Sequence, residues 1–306
     1  MGKRDFADTV VVVTGASSGF GRGVALELAD VGARVVLAAR REQALDELAC
    51  ECQARGGQAL PVPTDVSRQS DVEKLAQAAI STFGSVDVWI NDAGVAALGR
   101  FEDVPLADHL QVILTNLVGV INGSWYAVRH FRERRRGTLI NIASALGKMP
   151  APYYGSYVAS KFGIVGINGV LRQELALAKL KNVKVCTVMP MSHDTPIFDH
   201  MGNYTGHEVQ PIPPLYDEHN VIKAVMRLIK HPKNEIIVGR VGKLLKAARG
   251  LLRNPVDRMM ARNSHRALIK KSPPASDRRG NVFEPMRYGA AVSGGRRRRS
   301  RRRVKA

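Results

Sequence analysis

The chain has 306 residues, 45% of them apolar, enough to bury a core as one large unit or two small ones. Its formal net charge of +19 sits almost wholly at one end: residues 243–306 carry 20 Lys+Arg against 3 Asp+Glu, which leaves 26 against 24 for residues 1–242. That distribution excludes a chain-wide nucleic-acid-binding surface, the 3 cysteines exclude a disulfide framework, and no run reaches the roughly 18 apolar residues of a spanning helix.

The first 240 residues alternate strand and helix. Thr9–Val13 predicts a buried strand that runs into the turn Thr14-Gly15-Ala16-Ser17-Ser18-Gly19-Phe20-Gly21. A helix follows through Val24, Leu28 and Val31 and stops at Gly32. Arg34–Ala38 predicts a second strand, Glu42–Arg55 a helix ended by Gly56-Gly57, and Ala59–Pro63 a third strand. Ser70 and Glu73 have capping-box spacing at the start of a helix running to Phe83. Val86–Ile90 is a fourth strand, Pro105 to Arg135 a long helical region, and Thr138–Ile142 a fifth strand. Gly155–Leu180 is a helix and Val183–Val188 a sixth strand; Glu218–Ile229 and Glu235–Val238 add a last helix and strand. Repeated βα units with apolar strands imply a doubly wound, Rossmann-type α/β fold with a parallel sheet, ligands binding at the carboxyl ends of the strands.

That geometry puts Gly15, Gly19 and Gly21 where the first strand turns into the first helix. Glycine lets backbone approach a pyrophosphate closely, and the helix N-terminus favours the anion. Ser17 and Ser18 add hydroxyl donors, and Phe20 lies within the same turn. The second strand ends in Ala38-Ala39-Arg40-Arg41, with no acidic residue to accept from a ribose 2′-hydroxyl. An arginine matches a 2′-phosphate in charge and in fork geometry, so Arg40 points to NADP(H).

Tyr157 and Lys161 are four residues apart, one helical turn, so they share a face. Tyrosine titrates near 10, too high for a base at neutral pH. The Lys161 cation, together with the positive nicotinamide of an oxidised cofactor, would favour the phenolate. Tyr157 then serves as general acid and base. Ser144, just past the fifth strand, is placed to hydrogen-bond a substrate oxygen, and Lys161 to hold the nicotinamide ribose. Asn116, in the long helix, is placed to hold a water that links Lys161 to solvent.

The order Thr-Gly-x-x-x-Gly-x-Gly, Asp65, Asn-x-Ala-Gly at Asn91–Gly94, Asn116, Ser144 and Tyr-x-x-x-Lys resembles the short-chain dehydrogenase/reductase family over about residues 8–240. The resemblance implies that Asp65 and Val66 contact the adenine. It implies that the segment of Asn91, Ala93 and Gly94 lines the cofactor and supports the central strand. Thr195, in the loop after Pro190, corresponds to the threonine that binds the carboxamide. Two residues depart from the family pattern: Asp92 stands where asparagine is usual, and Met191 follows Pro190 where glycine is common. The resemblance also implies a homodimer, or a tetramer, through the long helices around 112–131 and 157–180.

Residues 192–216 are expected to form a substrate lid, with Met149, Pro150, Tyr153, Tyr154, Ile197 and Phe198 as an apolar wall suited to a hydrophobic carbonyl or alcohol. His193 reads as a solvated loop residue, and Trp89 and Trp125 as core. Cys50, Cys52 and Cys186 read as free thiols of a cytoplasmic protein, with no metal site.

Beyond a first unit of residues 1–242, residues 243–272 read as a basic amphipathic helical extension and 273–306 as a proline- and arginine-rich tail, disordered on composition. Leu244, Leu245, Leu251 and Leu252 share one helical face. They fit packing on the body, or peripheral contact with an anionic membrane; nucleic-acid binding by the arginines lacks an aromatic stacking pattern. Two functions stand against each other: a hydride-transferring NADP(H) enzyme, and a non-catalytic cofactor-sensing protein that uses the basic tail to engage a membrane or nucleic acid. The complete set Asn116, Ser144, Tyr157 and Lys161 favours the enzyme.

Overall fold

A computed structural model describes residues 6–297. Its chain order is β1 (Val10–Thr14), α1 (Gly19–Asp30), β2 (Arg34–Ala39), α2 (Glu42–Ala54), β3 (Gln58–Pro63), α3 (Gln69–Phe83), β4 (Val88–Asn91), the short β5 (Ala97–Leu98), α4 (Leu106–Ile113) and α5 (Gly119–Arg134). Then come β6 (Gly137–Ile142), α6 (Gly155–Leu177), β7 (Val183–Pro190), α7 (Ile197–His200), the short β8 (Gly202–Asn203), α8 (His219–Lys230), β9 (Glu235–Val238), α9 (Arg240–Leu251) and α10 (Arg253–His265).

Seven strands form one sheet in the order β3-β2-β1-β4-β6-β7-β9, every pairing parallel. All five residues of β1 are buried, as a strand covered on both faces requires. One core lies on the face carrying Val11, Val13, Leu28 and Val225, the other on the face carrying Val12, Trp89, Phe131 and Leu139. The strand order reverses between β1 and β4, so the crevice outside the carboxyl ends of these two strands is the expected ligand position.

The long helical region predicted from Pro105 is α4 and α5 joined by a π-turn at Leu114–Val118, with Asn116 buried inside it. Single π-turns within helices frequently mark functional sites. Beneath β4, β6 and β7 runs a chain of side-chain hydrogen bonds. Trp89 donates to Asn91, Asn91 to Asn141, Asn141 to Asn168, and Asn168 to Thr187. These buried amides satisfy one another across three strands, which fixes register where apolar side chains alone would allow slip.

The C-terminal region departs from expectation in two ways. Leu244, Leu251 and Leu252 are 70%, 87% and 59% exposed and stand clear of the body, while Leu245 on the same face is half-buried. Residues 273–297 are not loose. Val282 is fully buried against Val95, Ala97, Val104 and Val112, and an antiparallel bridge joins Arg278 to Asn203. Composition predicts disorder by counting charge; here the charges find carboxylates on the body, Arg296 on Asp199 and Arg297 on Asp217. The rest of the arginine run, 298–306, lies outside the described residues. Trp125, expected in the core, is 52% exposed, because α5 turns that face away from the sheet.

Candidate active site

The β1–α1 turn shows why glycine is required at two positions. Gly15 has φ +74°, and a Cβ there would lie 2.7 Å from the Ala93 backbone nitrogen. A Cβ on Gly21 would lie 2.5 Å from the Gly15 carbonyl oxygen. The turn is therefore held against the β4 carboxyl end, and the open end of α1 faces one large cavity. Gly15, Ser17, Ser18, Gly19, Phe20, Arg40, Asp65, Val66, Ala93, Gly94, Ser144, Tyr157, Lys161, Pro190 and Thr195 all line that cavity.

Three of the expected residues, Gly21, Asn91 and Asn116, do not line it; Gly21 instead backs the turn against Gly15. Asn91 turns its side chain under the sheet into the amide chain described above. Asn116 also stays outside the cavity. Its Oδ1 accepts from the Val95 N–H at 2.8 Å, and its Nδ2 donates to the Val95 carbonyl at 2.9 Å and to Ser160 Oγ at 3.1 Å. It clamps the segment between β4 and β5 that carries Gly94, while its Oδ1 keeps a second lone pair. Ser17 likewise gives its hydroxyl and carbonyl to the Arg41 guanidinium.

The reactive groups meet at the centre. Ser144, in extended backbone, accepts from the Leu146 N–H at 3.1 Å and donates to the Pro190 carbonyl at 3.5 Å, beside the Tyr157 phenol. Lys161 is 4% exposed; its Nζ donates to the Ile142 carbonyl at 2.9 Å and lies 5.5 Å from the Tyr157 ring centroid. Burial pushes the Tyr157 phenol up to about 12, Ser144 opposing and the Asp92 charge adding to the rise. Burial likewise pulls Lys161 down to about 8, against the Asp92 charge. Without the positive nicotinamide that the lowered phenol also requires, desolvation outweighs the opposing Ser144 hydroxyl. Asp92 itself is pushed up to about 7 by burial, against Lys161 and a backbone hydrogen bond from Gly21.

At the β2 end, burial lowers Arg40 from its ordinary value, with the Asp65 charge opposing. Among the described residues no carboxylate pairs with Arg40; the Asp65 carboxylate is engaged by the Ser67 N–H and hydroxyl. A half-buried guanidinium at a cleft, beside glycine backbone that a side chain would fill, fits an anionic ligand such as a dinucleotide. Met191 does not disturb the loop. Its side chain packs into the space left by Gly239 and Gly242, and Thr195 stays 5% exposed at the cavity wall.

The other end of the cavity is apolar. Met149, Tyr154, Ile197 and Phe198 line it as expected, joined by Leu146, Met201, Ile212 and Met260. Pro150 is exposed, and Tyr153 turns away to bond His265 Nδ1 at 2.7 Å. His193 corrects the sequence reading: it is 2% exposed, donates from Nδ1 to the Met191 carbonyl at 2.9 Å, and stacks edge-on to Phe20. Met260 comes from α10, whose apolar period carried no pointer to the cavity. Among the described residues Asp217, Glu218 and His219 are the one cluster with metal-ligand spacing, and Asp217 is paired with Arg297.

A nucleotide cradle at a β1/β4 switch point, opening onto a Ser-Tyr-Lys group, defines a nicotinamide-dependent oxidoreductase class. The short chain dehydrogenase family profile matches residues 9–204, and the chain belongs to the short-chain dehydrogenase/reductase family. It is 35% identical over 257 residues to oxidoreductase YxnA of Bacillus subtilis (strain 168), covering 83% of this chain and 71% of YxnA. It is 37% identical over 197 residues to the probable oxidoreductase EphD of Mycobacterium tuberculosis, covering 63% of this chain but 32% of EphD. Among solved structures it is similar to a short-chain dehydrogenase/reductase from Burkholderia phymatum in complex with NAD, with TM-score 0.72 and 28% identity over 83% of this chain and 98% of that one. It is also similar to an alcohol dehydrogenase from the archaeon Thermococcus sibiricus complexed with 5-hydroxy-NADP, with TM-score 0.65 and 26% identity over 75% and 95%.

Proposed function

We propose that the chain transfers hydride between NADP(H) and a hydrophobic ketone, aldehyde or secondary alcohol, with Tyr157 as general acid and base. One observation carries the reading. Ser144, Tyr157 and Lys161 meet where a cleft lined by glycine and Arg40 passes into one lined by Met149, Ile197, Phe198 and Met260.

When bound, the nicotinamide dinucleotide gives or takes the hydride. Gly15, Ser18, Gly19 and Phe20 hold its phosphates and Arg40 its 2′-phosphate. Asp65 and Val66 flank the adenine, and Pro190 and Thr195 the carboxamide. Lys161, with one N–H on Ile142, keeps donors for the ribose hydroxyls. Tyr157 gives its proton to the carbonyl oxygen in reduction and takes the alcohol proton in oxidation. A phenol near 12 is protonated at neutral pH, the form reduction needs. Ser144, beside Tyr157 in the same cavity, orients the substrate oxygen. Asn116 acts by clamping the backbone of Val95 and so placing Gly94 beside Lys161.

The unit acts as a homodimer. Leu106, Leu110, Leu114, Ile121 and Trp125 on the α4–α5 run and Phe162 and Val170 on α6 stand exposed, which supports a partner on this face. No described helix is long and apolar enough to cross a membrane. The exposed Leu244, Leu251 and Leu252, set among Lys243, Lys246 and Arg253, support peripheral contact of α9 with an anionic membrane, and three free cysteines support a cytoplasmic location. The assay is NADPH consumption against a panel of apolar ketones and aldehydes. Turnover of none, with NADPH bound, would move the chain to the cofactor-sensing reading.

A further inference from the structure

The C-terminal segment runs straight across the mouth of the nucleotide cleft and is fastened at each step. Asn281 donates its N–H to the His200 carbonyl at 2.7 Å, and Val282 is buried. Arg40 donates through Nη1 to the Phe283 carbonyl and through Nη2 to the Asn281 carbonyl, each at 2.7 Å. Arg41 donates to the carbonyls of Met286, Tyr288 and Gly289. The Gly19 N–H, at the open end of α1, donates to the Ala291 carbonyl at 3.0 Å. Farther on, the Asp194 carboxylate, 1% exposed, accepts the N–H groups of Arg296 and Arg297. The Asp194 carbonyl accepts the Gly294 N–H, and the Arg296 and Arg297 side chains pair with Asp199 and Asp217.

The strap's carbonyls cap the Gly19 N–H and the Arg40 guanidinium and leave the rest of the cleft open. Asn281, Pro285 and Met286 line the same cavity as Gly15, Arg40, Asp65 and Tyr157, so they form its roof above the nucleotide end. A roof held by backbone carbonyls aims Arg40 and Arg41 without neutralising them, as a carboxylate would. The charge stays available to a phosphate.

Resting on the dinucleotide reading of this site, we infer that residues 278–297 are a hinged roof over the cofactor: residues 278–289 orient Arg40 and Arg41, and residues 291–297 are a latch that must lift for the dinucleotide to enter or leave. A latch closed over both the empty and the filled site slows entry and exit together. A segment that merely occupies the phosphate position slows entry alone.

The test uses the full chain and the double variant Asp199→Asn/Asp217→Asn, which removes the carboxylates paired with Arg296 and Arg297 and touches no cofactor-lining residue. NADPH association and dissociation are followed by stopped-flow fluorescence. Two half-exposed ion pairs are together worth up to roughly tenfold, so both rates should rise by about that factor while Kd moves by less than about threefold. Unchanged rates overturn the proposal. So does a faster association alone with a proportionally lower Kd, which makes the segment a competitor. A chain ended after Ala290 repeats the measurement should the double variant melt early. The latch is also read without nucleotide, by tryptic cleavage at Arg296 and Arg297. Cleavage should be slow in the wild type and fast in the variant, and fast cleavage in the wild type sinks the latch. A wild type that takes up neither NADPH nor NADH, yet protects these bonds, shows instead that the cofactor reading is at fault.

Discussion

Asp92 and Lys161 bias each other's protons in the floor of the cleft: the carboxylate holds the ammonium up against burial, and the ammonium holds the carboxylate down. The folded chain binds more protons at Asp92 than the unfolded chain between pH 3.8 and about 7, so that group lowers stability as pH rises through this window. It binds fewer at Lys161 between about 8 and 10.5, so that group raises stability as pH climbs there.

Asp92→Asn removes a charge that raises both Lys161 and Tyr157. The pH at which Lys161 loses its proton should then fall below about 8, and the alkaline limb of NADPH affinity should shift to lower pH. Below about 7 the wild-type carboxyl is itself protonated, so the two proteins should converge. NADPH titrations across this range check it; a constant offset at every pH would contradict the coupling.

Tyr157→Phe keeps the ring and removes the proton. Turnover should drop by roughly 10²–10⁴-fold with NADPH affinity within a few-fold of wild type. Ser144→Ala should cost roughly 10²-fold in kcat, since it removes the partner of the phenol and of the substrate oxygen. Single-turnover absorbance measurements separate chemistry from binding, and a fully active Tyr157→Phe would rule out the acid/base assignment.

Arg40→Ala should weaken NADPH by roughly 10–100-fold, the range of a charge-assisted hydrogen bond, and NADH far less. Equilibrium fluorescence titration with both nucleotides decides it. Equal losses for the two would show that Arg40 serves the roof but not the 2′-phosphate.

Trp125→Asp puts a charge on the exposed α5 face. It should convert a dimer to a monomer in light scattering, while the melting temperature of the chain changes little, because the side chain is already half in water. A wild-type monomer would remove the need for a partner on this face.

The sheet was legible because each strand is a short apolar run bounded by glycine or proline, and Tyr157, Lys161 and Ser144 because their spacing survives folding unchanged. Asn91 was not, since an alternating strand does not tell which amide finds a partner beneath the sheet. Ser70 misled. Its spacing to Glu73 mimics a cap, but α3 begins at Gln69 behind Arg68. The strap was hidden for a deeper reason. Its fastening uses backbone carbonyls and distant carboxylates, neither of which leaves a periodic trace, while its arginines weigh toward disorder in any count of composition.

Arg40 and the carbonyls that aim it are separated by 241 and 243 residues. Contacts of such sequence separation close last, after the sheet they lie upon. On the ribosome, β1 through β7 have left the exit channel while the roof is still unsynthesised. The nascent enzyme therefore passes through an interval in which its nucleotide cleft is built but uncovered. A cofactor captured during that interval would be enclosed by the arriving C-terminal segment, so the timing of synthesis and the order of assembly become parts of one event.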